Sequence, residues 1–199
     1  MSIKLYAGFG DAAVGKTHLV YRYGKNYLPG QYITTAGNDI TKDVQYGNQS
    51  VKLELWDFKD FSVGARFEYD YPLDYEDTDV FLLLFCVVDR VSFDNVKFQY
   101  FPLVKKQCPN AKILLVGTKS DLRYDEEVLA QLKSQNKTVV SKSEAREMAK
   151  SLGAEDYYET SALNDVGVKE VFDAAVECVM LSRMPTKKRL KASKACLLL

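Results

Sequence analysis

The sequence predicts an α/β fold in which a mainly parallel sheet is covered by helices on both faces. Three observations carry that expectation. Residues 80–88 and 112–116 are apolar runs bounded by polar residues, the pattern of strands buried on both faces. Between and after them, apolar residues recur at helical spacing. Near the start, a strand-like segment at 3–9 ends in GDAAVGKT and passes directly into a helical segment, an order typical of alternating α/β sheets.

In chain order, residues 3–9 form the first strand and 18–23 a short helix. Residues 41–57 read as a hairpin about Gly47-Asn48, because Val51, Leu53 and Leu55 alternate with Lys52, Glu54 and Trp56 and so bury one face. The strand at 80–88 is followed by a helix over about 93–106 and the strand at 112–116. Ser141 and Glu144 have the spacing of a capping box, which opens a helix running through Ser151 and ended by Gly153. A short strand follows at 157–159. Val168, Val171, Phe172, Ala175, Val176 and Val179 then share one face of a last helix, stopped by Pro185.

With 199 residues the chain makes one domain and a tail rather than two domains. We expect a globular domain over 1–182 and a tail over 183–199. The apolar run at 80–88 is far shorter than the roughly 20 residues of a membrane-spanning helix. The start lacks the basic, apolar and small-residue segments of a secretory signal, so a cytosolic chain is expected. None of the four cysteines forms a CxxC pair, which fits reduced thiols at Cys86, Cys108 and Cys178. Formal charge is zero, yet six of the 27 basic residues lie from Arg183 onward with no acid, leaving 21 against 27 acidic in the body. A mildly acidic body speaks against nucleic-acid binding, and the basic tail for an anionic surface.

Gly10 to Thr17 satisfies G-x-x-x-x-G-K-[ST] between a strand and a helix. In that setting loop N–H groups, including those of Ala12, Ala13, Val14 and Gly15, converge on phosphate oxygens; Lys16 supplies charge, and the Thr17 hydroxyl is a ligand for Mg²⁺. A phosphate loop does not choose a base, since ATPases and kinases share it. Thr118-Lys119-Ser120-Asp121, after the strand at 112–116, makes the choice. A carboxylate at Asp121 accepts from guanine N1–H and the 2-amino group, whereas adenine would leave it unpaired. Lys119 lays its stem along the base. Ser161-Ala162-Leu163 adds a third element, with the Ala162 N–H available to the base carbonyl. His18, the single histidine, follows the loop beside the nucleotide and is assigned a surface or helix-packing role rather than a catalytic one.

With GDxxVGKT, Tyr32-Ile33-x-Thr35, Trp56-Asp57, TDVF at 78–81, SFDNV at 92–96, VGTKxDLR at 116–123 and SAL at 161–163 all in order, the chain resembles the Ras superfamily of small GTPases and, within it, the Rho/Rac family. The resemblance implies a Ras-like P-loop GTPase fold with a mostly parallel six-stranded sheet, and a Rho-type insert near 125–136 containing a short helix. It implies GTP and GDP as ligands with Mg²⁺, Tyr32 beside the nucleotide, Thr35 as a metal ligand and Asp57 holding the metal through water. As partners it implies effector proteins at the two switch segments, an exchange factor and a RhoGDI-like carrier, with the protein itself a monomer.

The chain departs from that family where hydrolysis is organised. Phe61 stands at the place of the water-positioning Gln, and Asp60 at that of a Gly that senses the γ-phosphate; a shifted register using Gly64 still supplies no Gln. Ala12 replaces a Gly, so no catalytic residue is assigned and weak hydrolysis is expected. Leu28 replaces an aromatic residue against the base, which implies fast exchange. Ala36 and Gly37 alter the first switch and with it the effector set. Cys196-Leu-Leu-Leu199 forms a C-a-a-X box whose final Leu favours geranylgeranylation. With the basic tail it predicts attachment to the cytoplasmic face of the plasma membrane or endomembranes, plus a cytosolic pool. Two other readings stay open: a non-cycling, constitutively GTP-bound scaffold of Rnd type, and an ordinary cycling GTPase completed by a partner.

Overall fold

A computed structural model describes residues 1–28, 30, 38–57 and 77–185. Its centre is a six-stranded sheet: β1 (Ser2–Phe9), β2 (Asn38–Tyr46), β3 (Gln49–Asp57), β4 (Val80–Cys86), β5 (Lys112–Thr118) and β6 (Tyr157–Glu159) in the order β2-β3-β1-β4-β5-β6. Only β2 against β3 is antiparallel, joined through Gly47-Asn48 with Val44 opposite Val51 and Ile40 opposite Leu55. The remaining pairs are parallel. The expected α/β architecture is the observed one.

Pleating divides the core. Val80, Leu82 and Leu84 of β4 join Leu5, Leu53 and Leu55 against α1 (Lys16–Lys25) and α6 (Val168–Arg183). Phe81, Leu83 and Phe85 face the other way, with Tyr6 and Phe9, against α2 (Arg90–Asn95), α3 (Phe101–Gln107) and α5 (Lys142–Leu152). A strand whose seven residues are all buried must feed two cores, and this explains why β4 reads as an unbroken apolar run.

Three boundaries differ from expectation. α1 is longer than 18–23, since its polar ends at Lys16, Thr17 and Lys25 carry no apolar period; it stops where Asn26 enters the left-handed region (φ 49°). β4 ends at Cys86, because Val87 and Val88 turn toward Asp89, whose carboxylate caps α2 by accepting from the Val91 N–H at 3.1 Å. The helix expected over 93–106 is three pieces, with a π-helical turn at Val96–Tyr100 between α2 and α3. Pro102 supplies the reason: it has no N–H to donate four residues back, and the chain widens so that the Phe101 N–H reaches Val96.

A helix stands where a short one was expected, α4 (Glu126–Ser134), capped by Asp125, and α5 opens with the predicted Ser141–Glu144 capping box. Cys86 and Cys108 are buried thiols outside any disulfide and Cys178 is half-buried; burial raises Cys178 to about 12, as suits packing rather than reactivity. Among the described residues no helix is long and apolar enough to cross a membrane.

Candidate nucleotide site

The carboxyl ends of β1, β5 and β6 lead to one cavity of about 400 Å³, within the range of small-molecule sites. Its shape begins with the loop after β1. A Cβ on Gly10 would sit 2.3 Å from the Leu84 carbonyl oxygen, so only glycine lets the chain pass this close to β4. Ala13 (φ 59°) and Gly15 (φ 106°) then take left-handed conformations that wind the loop into α1. Gly15 is the N-cap of α1 yet offers no side-chain acceptor, and no acid lies in the first turn. The Lys16 ammonium folds back over the loop, donating to the carbonyls of Gly10 (3.0 Å) and Asp11 (2.6 Å), and the residue is only 4% exposed.

Asp11 is fixed from outside the loop. Its carboxylate accepts from the Tyr100 hydroxyl and from Asn95 Nδ2, each at 2.7 Å. The π-helical turn thereby grips the phosphate loop, a role for Asp11 and Tyr100 that no local motif announces. β5 ties in next: Thr118 Oγ1 lies 2.5 Å from the Val14 carbonyl and 2.9 Å from that of Phe85, and its single proton serves one at a time.

At the other end of the cavity Asp121 stands in a short 3₁₀ turn that starts from Lys119 in a left-handed conformation (φ 55°). Ser161 Oγ donates to Asp121 at 2.5 Å and accepts from the Asn164 N–H at 3.1 Å. Ser161 is 1% exposed, behind the carboxylate rather than on the cavity wall. The Ser120 N–H donates to Thr160 O at 3.1 Å, which locks the two base loops together.

The structure brings most of the proposed residues into this one place. Ala13, Gly15, Lys16, Thr17, His18, Leu28, Thr118, Lys119, Asp121, Ala162 and Leu163 line the cavity, joined by Leu19 and Thr160, which the motifs did not mark. Val14 is buried in the core beneath, and Ala12 is exposed on the loop; neither lines it. Asp57 ends β3 opposite Asn38, and only its backbone pairing is described. Tyr32, Thr35, Phe61 and Cys196 lie outside the described residues.

These groups suit a guanine nucleotide. A glycine-shaped loop, an uncapped helix start and a buried ammonium present donors to phosphates, while a carboxylate steadied by Ser161 accepts from a base edge. The Thr17 hydroxyl is a hard oxygen donor of the kind Mg²⁺ takes when phosphates and water complete its shell. Among the described residues no cluster of three or more His, Cys, Asp and Glu could hold a metal ion.

Residues 7–181 match the family model described as Ras family. The match starts within β1, ends within α6 and contains every residue that lines the cavity. On that ground the chain belongs to the Ras family: it is a small GTPase, a guanine-nucleotide-binding switch of a kind that generally takes GTP and GDP with Mg²⁺.

Proposed function

We propose that this chain is an atypical Rho-type GTPase that signals to cytoskeletal or membrane-trafficking effectors, hydrolysing GTP weakly and exchanging nucleotide fast. The observation that carries the binding half is the single cavity with the Lys16 loop at one end and Asp121 at the other. Support for the Rho-type assignment comes from TDVF, SFDNV and VGTKxDLR in order, and from α4 at the insert position. Lys16, Thr17, Thr35 and Asp57 take the phosphates and Mg²⁺; Thr118, Lys119, Asp121 and Ala162 take the guanine.

Weak hydrolysis rests on Ala12 and Phe61. A phenyl ring offers no hydrogen bond to water, and positioning of the attacking water is a large share of catalysis in this reaction class. Leu28, which lines the cavity, gives the base an aliphatic contact in place of an aromatic one and supports fast exchange. Single-turnover GTP cleavage with Mg²⁺ should run far below a Rac-type control; an equal rate refutes the proposal. Asp60 at the γ-phosphate-sensing position favours a second reading, a non-cycling scaffold of Rnd type. Effector binding that is the same with GDP and a non-hydrolysable GTP analogue would select the scaffold. Anchoring is proposed through a prenyl group on Cys196 and the basic residues before it, and a Cys196→Ser protein should leave the membrane fraction.

A further inference from the structure

Arg22 lies in the last turn of α1, where a cation ordinarily serves its own helix's carbonyls. Here it reaches across the cavity's edge to a loop far along the chain. Its Nε donates to the Ala162 carbonyl at 2.7 Å and a terminal nitrogen to the Leu163 carbonyl at 3.3 Å. Both acceptors belong to residues that line the cavity.

We infer that Arg22 is a positioning residue for the guanine, a latch that holds the Ala162 N–H where the 6-carbonyl of the base is read. This rests on the reading of Ala162 proposed above. Its physical basis is bracketing. On the amino side of Ala162, Ser161 is fixed by paired backbone bonds with Val166, at 2.8 and 3.0 Å. On the carboxyl side, the Ala162 and Leu163 carbonyls are fixed by one guanidinium. A planar fork can hold two successive carbonyls in set directions, and bonds from a charged donor are stronger than neutral ones. The Ala162 N–H therefore lies between two anchored points, with little freedom to swing away from a base. Because α1 also carries Lys16, the latch joins the phosphate and base ends through one rigid element.

The consequence is specific to the base. Loosening this loop should reduce recognition of the 6-carbonyl while leaving Asp121, held by Ser161, to read the other edge. The test uses the full chain with Mg²⁺ and three diphosphates: GDP; IDP, which keeps the 6-carbonyl and N1–H and lacks the 2-amino group; and 2-aminopurine riboside diphosphate, which lacks the 6-carbonyl and with it N1–H. Arg22 is half-buried, so its truncation should leave the fold intact. Arg22→Ala should weaken GDP and IDP by a common factor on the order of tenfold and leave the 2-aminopurine nucleotide unchanged. Arg22→Lys, which keeps the charge and loses the fork, should fall between. Equal weakening of all three, or of none, overturns the latch while the reading of Ala162 stands. If the unsubstituted protein binds GDP no better than the 2-aminopurine nucleotide, the reading of Ala162 fails first and takes the latch with it.

Discussion

Two helices of this protein begin in opposite ways. α5 closes its own start: Ser141 Oγ accepts from the Glu144 N–H at 3.2 Å, and the Glu144 carboxylate accepts from the Ser141 N–H at 2.8 Å and from Arg90 at 2.7 Å. α1 begins at left-handed Gly15 with no side-chain cap and no acid in its first turn, and a lysine is its first residue. An N-cap contributes about 1 kcal/mol and a first-turn acid some tenths more, so α1 forgoes stability that α5 takes. The difference teaches where a ligand belongs. Donors that α5 satisfies internally are left at α1 for phosphate oxygens, and Lys16 adds the charge that would be out of place at an ordinary helix start.

The largest way to break that contrast is steric. Gly10 opens the loop between β1 and α1 and Gly153 closes α5, and of these two Gly10 is the one pressed against backbone. Gly10→Ala puts a Cβ 2.3 Å from the Leu84 carbonyl oxygen, and we expect a loss of about 3 kcal/mol or more by denaturant unfolding. Gly153→Ala meets nothing within 4 Å and bears only its left-handed φ of 67°, about 1 kcal/mol. Equal losses would mean the phosphate loop is not threaded as described.

Next in size is the charge at the open helix. Lys16→Met should reduce GDP affinity by roughly 100-fold, as expected when a buried cation on a polyanion is removed. Titration with a fluorescent guanine nucleotide reads this directly. Affinity within threefold of the parent would show that the start of α1 is not the phosphate seat.

Which parts of this contrast are visible in the sequence depends on how local they are. The capping box of α5, the phosphate loop and TKSD are contiguous, so spacing alone exposes them. The sheet follows too, since the apolar runs within β4 and β5 must be buried on both faces. What the sequence conceals is pairing across distance. Asp11 meets Asn95 and Tyr100, Ser161 holds Asp121 from behind, and Arg22 grips Ala162, each a contact between separate strand-end loops or helices. The π-helical turn escaped for another reason: its apolar residues keep helical spacing, and only the missing N–H of Pro102 changes the register.

At about 1 kcal/mol, removal of the α5 cap comes third. Ser141→Ala should lower stability by that amount, measured by urea unfolding, with GDP affinity unchanged. A loss of affinity instead would mean that α5 is coupled to the cavity and that the two helix starts are not independent.

The smallest effect is a pH dependence. The Ser141 hydroxyl, the Ser141 N–H and then Arg90 stabilise the Glu144 carboxylate and lower its pKa from 4.5 to about 2. A carboxylate held low in the folded state binds its proton less readily there than in the unfolded chain. Its contribution is therefore complete above the ordinary value of 4.5 and declines as pH falls toward 2. The side chain is 41% exposed, so solvent screening limits the contribution to below about 1 kcal/mol. The urea midpoint of Glu144→Gln should lie slightly below that of the parent at about pH 6, and the gap should narrow by about pH 3. A gap that widens as acid is added would reverse the sign and show that the carboxylate of the capping box is not the group stabilising α5.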